Sequence, residues 1–192
     1  DAALLLQMQH PSQTRLIHEE LLAHQLCMRM LRNAVKTRPA QPLSAAAVAQ
    51  KHLQDVLPFK FTGAQVRVIG DIAKDIAAKR PMLRLIQGDV GSGKTVVAAV
   101  AMLTAARAGW QAALMAPTEL LAEQHYINFT KWFGPLGFEV VFLAGKLKKS
   151  QKDKLLARVA AGEVPLLIGT HAVFQDTVRF QKLALVVVDE QH

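Results

Sequence analysis

Cysteine is almost absent from this chain: its 192 residues contain one, Cys27. A single thiol excludes an internal disulfide framework and a clustered cysteine metal site, and it points to a reducing compartment. Long apolar runs are also missing. The stretch from Val96 to Leu103 is too short to span a bilayer, and Thr104 and Arg107 follow it directly. No signal peptide opens the chain, which starts at Asp1 and not at Met, so a piece of a longer protein is expected. Acidic residues are the scarcer charge, 15 against 23 Lys and Arg, leaving a net charge of +8. That surplus suits a phosphate-rich partner, although proteins that bind neither nucleotide nor nucleic acid also carry such a surplus. Against these shortages stands a hydrophobic content of 51% with 20% charged residues, which excludes wholesale disorder.

Glycine is missing from the N-terminal part, Gly63 being the first. Residues 14–36 place Ile17, Leu21, Leu26, Met28, Leu31 and Val35 at helical intervals, an amphipathic helix that Pro39 and Pro42 terminate. Within it Cys27 reads as a small buried apolar residue. A second helix is expected from Ser44, as N-cap, to about Val56. Two helices cannot enclose a core, so residues 1–58 read as a helical arm or linker and residues 59–192 as the functional domain.

From residue 83 short β-rich runs at 83–87, 111–116, 139–143, 166–168 and 184–188 alternate with helical stretches at 94–108, 118–133 and 150–161. That alternation predicts an α/β three-layer sandwich with a mostly parallel sheet. Leu185-Val186-Val187-Val188 lacks polar alternation, as expected of a central strand covered on both faces. Ligands in such sheets bind at the carboxyl ends of the strands.

Gly88-Asp89-Val90-Gly91-Ser92-Gly93-Lys94-Thr95 matches G-x-x-x-x-G-K-[ST], the P-loop, between an expected strand and an expected helix. Gly88, Gly91 and Gly93 let successive backbone N–H groups, with that of Ser92, wrap an anion at a helix N-terminus. Lys94 brings charge to the β and γ phosphates, and the Thr95 hydroxyl suits Mg2+. At the end of the last apolar run, Asp189 and Glu190 precede Gln191 and His192. After a P-loop, such a pair holds Mg2+ through Asp189 and orients the attacking water through Glu190. The two motifs together indicate an NTPase, with Lys94, Asp189 and Glu190 as its catalytic residues.

The form Asp-Glu-x-His resembles motif II of superfamily 2 helicases, and further segments extend the likeness. Phe59, Thr62 and Gln65 resemble the adenine-reading motif, in which a ring stacks on the base and an amide serves its edge. Ala116-Pro117-Thr118-Glu119-Leu120-Leu121 resembles motif Ia, Leu143-Ala144-Gly145 the short glycine motif, and Gly169-Thr170-His171 motif Ib. The resemblance gives Pro117, Thr118, Gly145, Gly169, Thr170 and His171 to the backbone of DNA. On physical grounds alone Thr118 reads as a helix cap without a ligand. Taken together these motifs resemble the RecG family of bacterial fork-remodelling DNA helicases over essentially the whole chain. The transcription-repair coupling translocases are the nearest alternative, but they usually carry Asp-Glu-Glu-His where this chain has Gln191. A P-loop switch that binds no nucleic acid is a third reading, and it leaves the motifs after the P-loop unexplained.

The resemblance implies an RecA-like P-loop NTPase lobe that works with ATP and Mg2+ in a cytoplasmic bacterial protein, away from membranes. It implies branched DNA, such as stalled forks and Holliday junctions, as partner in DNA repair and recombination. It further implies a wedge domain before residue 1, and motif III and a second RecA-like lobe beyond His192, without which the chain alone is expected to be inactive. The family uses the motif II histidine, here His192, to link the ATP site to the other lobe. Elsewhere the bland readings hold. The basic run from Lys146 to Lys154 is a solvated helix face, with DNA phosphates as the alternative. His10, His18, His24, His52 and His125 show no mutual metal-ligand spacing, and Trp110 and Trp132 are packing residues.

Overall fold

A computed structural model describes residues 10–89, 91–145 and 147–190, without the side chains of Val35 and Lys36. The chain forms two compact units, residues 1–39 and 40–192. In the first, helix α1 runs from Pro11 to Lys36. Proline at its first position needs no hydrogen-bond donor, and Arg15 bridges Glu19 one turn on at 2.9 Å. Cys27 is exposed on this helix and not buried as expected. A single helix cannot enclose its own side chains.

The second unit begins earlier than the composition suggests. Helix α2 (Ala46–Val56) buries Ala46, Ala49 and Leu53 in the core of this unit, so it packs with the α/β part. Its N-cap is Ala45 and makes no side-chain bond, so Ser44 does not cap it. Helix α3 (Gly63–Ile76) starts with a reciprocal capping box between Thr62 and Gln65. Helix α4 (Lys94–Arg107) is apolar on nearly every side, with Val96, Val97 and the run from Ala99 to Ala106 buried. Such a helix must be covered all round. Ala49 and Leu53 of α2, with Ile69, Ile72 and Ile76 of α3, join its core cluster, and so do the sheet residues Leu114, Leu166 and Ile168.

The sheet has four parallel strands, β1 (Gln111–Met115), β2 (Val140–Leu143), β3 (Leu166–Gly169) and β4 (Leu183–Val188), in the order β2-β3-β1-β4. Helix α5 (Glu119–Phe133) connects β1 to β2, and α6 (Lys149–Ala160) connects β2 to β3. The pleat sorts side chains by parity. Ala112, Leu114, Leu166, Ile168 and Val140 join the α2–α5 side, while Ala113, Leu167 and Leu143 join Val159 of α6 on the other. This is the three-layer α/β arrangement that the alternation predicts.

Two strand expectations differ from the structure. Residues 81–89 form no strand, and Leu83 and Leu85 are 80% and 70% exposed. β4 is an edge strand of the described sheet, with Leu185 buried but Val186 and Val188 half-exposed. A strand exists only with a ladder partner, and apolar sequence does not supply one. The outer edge of β4 and the 83–87 segment are therefore both unpaired among the described residues, and the cluster around α6 takes in residues of β1, β2 and β3 but none of β4.

Gln111 locks three elements at the base of the sheet. Its buried amide donates to the Val159 and Val164 carbonyls, each at 2.9 Å, and accepts from the Lys182 N–H at 2.9 Å. The Val159 carbonyl also accepts from the Gly162 N–H, so Gln111→Leu would orphan the Val164 carbonyl and the Lys182 N–H, at about 1–3 kcal/mol for each buried group. Chemical denaturation should show the variant less stable by about 2–4 kcal/mol; an unchanged midpoint would refute this role.

Candidate nucleotide and nucleic-acid site

Register puts the functional turns side by side. Leu143 pairs with Gly169, Gly169 with Met115, and Met115 with Val188. These four residues end their strands in one row. The segments that follow them, Ala144–Gly145, Thr170–His171, Ala116–Thr118 and Asp189–Glu190, therefore leave the sheet at one carboxyl edge. Three of the four were assigned to DNA and the fourth to Mg2+ and water, so the topology brings the two sets together along one edge.

The P-loop closes on itself. Gly91 and Gly93 both take φ of +81°, a region open to glycine at no steric cost. The Ser92 N–H donates to the Asp89 carbonyl at 3.1 Å, and the Val96 N–H to that of Gly93 at 3.1 Å. Lys94 Nζ donates to the Gly88 and Asp89 carbonyls at 2.6 and 3.0 Å, which holds the ammonium across the loop. A Cβ on Gly88 would meet Ser92 Oγ at 2.8 Å, and one on Gly93 would strike the Gln65 amide. Val90 lies outside the described residues.

Gln65 does a job that the sequence does not reveal. Its Oε1 accepts from the Thr62 N–H at 2.8 Å, and its Nε2 donates to the Ser92 carbonyl at 3.0 Å. The amide expected to read adenine is thus bonded here to the cap of α3 and to the P-loop. Thr62 Oγ1 accepts from the Gln65 N–H. Phe59 is exposed, and the Gln54 side chain holds its loop by bonding the Phe59 carbonyl at 2.7 Å and the Phe61 N–H at 3.0 Å.

At the end of β4 the Asp189 N–H donates to the Met115 carbonyl at 2.9 Å. Its Oδ2 lies 2.6 Å from Nε2 of His125, a buried residue on α5. The bond from His125 holds the Asp189 carboxyl below its ordinary range, with help from the His125 and Lys94 charges against the opposing effect of burial. Glu190 has φ of +49°, the one non-glycine residue with positive φ among those described. Backbone strain of this kind clusters at functional sites. His125 is a site residue that reading the sequence misses. The signal was a histidine on a helix face whose other members, Ala122, Phe129, Trp132 and Phe133, are buried.

Of the residues assigned to DNA, Thr118 caps α5 by accepting from the Leu121 N–H at 3.3 Å, which leaves its hydroxyl hydrogen available to a partner. Thr170 opens a short 3-10 helix (His171–Phe174) without spending its side chain on a cap, and His171 is exposed. Gly169 is required by packing, since a Cβ there would sit 2.8 Å from Val173 Cγ2 and 3.0 Å from the Leu143 carbonyl oxygen. Gly145 has open space around it, and Pro117 sits in the turn before α5. Lys146, Gln191 and His192 lie outside the described residues. Lys148, Lys149 and Lys154 are exposed on or beside α6, as a solvated face requires.

The donor set fits a nucleotide with Mg2+. Thr95 and Asp189 offer hard oxygen, and Asp189 is kept ionised. Among the described residues no three His, Cys, Asp or Glu side chains cluster as a metal cage. Mg2+ on a nucleotide needs none, because phosphates and water complete its shell.

The pattern of the DEAD/DEAH box helicase family matches residues 62–192. The chain belongs to that family. Within it, the similarity is to RecG. The chain is 56% identical over 184 residues to the ATP-dependent DNA helicase RecG of Escherichia coli (strain K12), covering 96% of this chain and 27% of that protein. It is 51% identical over 189 residues to RecG of Haemophilus influenzae, covering 98% and 27%. A solved structure of RecG bound to a three-way DNA junction superimposes with a TM-score of 0.84 at 40% identity, over 93% of this chain and 25% of that one. The chain thus spans about a quarter of the length of the relatives that it matches. No helix among the described residues is long and apolar enough to cross a membrane.

Proposed function

We propose that this chain is the ATP-binding part of a RecG-type DNA helicase that remodels branched DNA, within a first RecA-like motor lobe. The observation that supports the reading is the single row of strand ends, in which Asp189 and Glu190 leave the same carboxyl edge of the sheet as the turns at Thr118, Thr170 and Gly145. In this reading the helical arm is the first unit, and the second unit, which includes α2, belongs to the lobe. A wedge domain and a second lobe of the same protein complete the motor in a bacterial cytoplasm.

Residues Gly88 to Thr95 cradle the phosphates of ATP, while Phe59 and the α3 cap lie on the adenine side. Lys94 neutralises charge on the β and γ phosphates. Thr95 and Asp189 would hold Mg2+, which would neutralise charge developing on the phosphates. Glu190 orients the water that attacks the γ phosphorus and accepts its proton, and ADP with inorganic phosphate leaves. Thr118 and Thr170 grip the phosphodiester backbone, which suits a motor that must pass over any sequence. Gln65 reaches the nucleotide side by changing partners from Ser92.

The test uses the full-length protein and three-way junction DNA. ATP hydrolysis should rise with junction DNA, and the stimulation should fall steeply with salt, because phosphate contacts release counterions. Thr170→Ala should reduce the DNA-stimulated rate more than the basal rate. Stimulation that is independent of salt, or a loss confined to one DNA sequence, would refute the backbone grip.

A further inference from the structure

We infer that His125 is a positioning residue, fixing the orientation of the Asp189 carboxylate so that one oxygen is presented to the nucleotide-bound cation. The inference rests on the reading of Asp189 as a Mg2+ ligand. Three observations support it.

The first is the cost of a histidine at this place. Ala122, His125, Phe129, Trp132 and Phe133 form the buried face of α5. The His125 ring lies 6.0 Å from that of Phe129, which packs in turn on Trp132 and Phe133 at 5.6 and 5.2 Å. A polar ring in such a row loses its hydration and needs a partner. Among the described residues the hydrogen bond it makes is to Asp189 Oδ2, and His125 Nδ1 is buried without a hydrogen-bond partner. An apolar side chain would pack here at lower cost. The polarity of His125 is therefore spent on Asp189.

The second is direction. An ionised carboxylate only accepts, so Nε2 carries the proton and donates to Oδ2. Asp189 already has its backbone pinned to Met115 across the β1–β4 ladder. Its two side-chain torsions are the remaining freedom, and the 2.6 Å bond from His125 removes it. Oδ2 is taken, which leaves Oδ1 for the cation or its water.

The third is rigidity. The ring cannot swing away, because α5 is capped at Thr118 and anchored by Phe129 and Phe133, both fully buried. The donor comes from a packed helix and not from the loop that carries the acid. Partners that orient a metal ligand commonly matter by about 10–100-fold in metal affinity or activity when removed.

The experiment compares His125→Phe and His125→Gln in the full-length protein. Phe fills the volume beside Phe129 but donates nothing, and Gln keeps a donor near the place of Nε2. Mn2+ binding to the ADP complex is followed by electron paramagnetic resonance, and the DNA-stimulated kcat and the KM for ATP are measured beside it. His125→Phe should weaken Mn2+ binding and lower kcat by about 10–100-fold with KM changed far less. His125→Gln should recover most of both. Equal losses in the two variants, or wild-type Mn2+ affinity in His125→Phe, would overturn the inference. Asp189→Ala is the control that separates the two readings. If Asp189→Ala binds Mn2+ as the wild type does, the assignment of Asp189 falls. If Asp189→Ala loses the cation while His125→Phe keeps it, only the role of His125 falls. Should His125→Phe fail to fold, a wild-type Mn2+ affinity in His125→Gln supports the inference, and a lost one overturns it.

Discussion

Replacing Lys94 by alanine should weaken ATP binding about 10- to 100-fold and remove DNA-stimulated hydrolysis. The magnitude follows from the bonds at stake. A hydrogen bond made by a charged group contributes about 1.5–3 kcal/mol, and 1.4 kcal/mol is a factor of ten. The geometry explains why no neighbour substitutes. Lys94 is the first residue of α4, so its position is set by a helix whose remaining turns are buried, and its ammonium rests on the Gly88 and Asp89 carbonyls. When phosphate arrives those two bonds are exchanged for bonds to anionic oxygen, with little movement of the side chain. The fold should survive the change, because both carbonyls that Lys94 satisfies border solvent. Titration calorimetry with ATP and thermal denaturation would be measured together. Equal affinity in wild type and Lys94→Ala would contradict the assignment of the loop, whatever the activity.

The P-loop was legible because its chemistry is local. Glycines at positive φ, a lysine and a hydroxyl residue fall within eight consecutive positions, and no distant partner is needed to recognise them. The parallel sheet was legible for a similar reason, since alternating apolar runs and helical spacings leave few other topologies. What the sequence concealed depends on partners far along the chain. The 83–87 segment reads as a strand from composition, yet a strand is defined by its neighbour, and none pairs with it among the described residues. Leu185-Val186-Val187-Val188 reads as covered on both faces, but coverage is a property of the elements packed on it, and the cluster around α6 includes no residue of β4. His125 has no ligand spacing to another histidine, and its partner Asp189 lies 64 residues away. The resemblance makes Gln65 an adenine contact, and its bond to Ser92, 27 residues on, appears only when α3 and the P-loop are placed together. The absence of glycine carries the helical arm to residue 58. The core follows burial, and Leu43, Ala49 and Leu53 are buried with the α/β unit.

Glu190→Gln should lower DNA-stimulated ATP turnover about 10²- to 10⁴-fold, the range that a positioned proton acceptor contributes. The amide has the shape of the carboxylate and its hydrogen-bonding reach, but it cannot take the proton of the attacking water. Nucleotide affinity should change little, since the cradle and Lys94 are untouched. The backbone provides an independent check. Glu190 holds φ of +49°, where a side chain costs about 1–2 kcal/mol relative to the right-handed region. Glycine adopts that φ freely, so Glu190→Gly should fold at least as stably as the wild type and yet hydrolyse no faster than Glu190→Gln. A residue kept only for its conformation would behave in the opposite way, with the glycine variant active. Single-turnover hydrolysis with saturating junction DNA separates the cases. Turnover by Glu190→Gln within a few-fold of the wild type would leave the strained backbone at the end of β4 without a chemical reason.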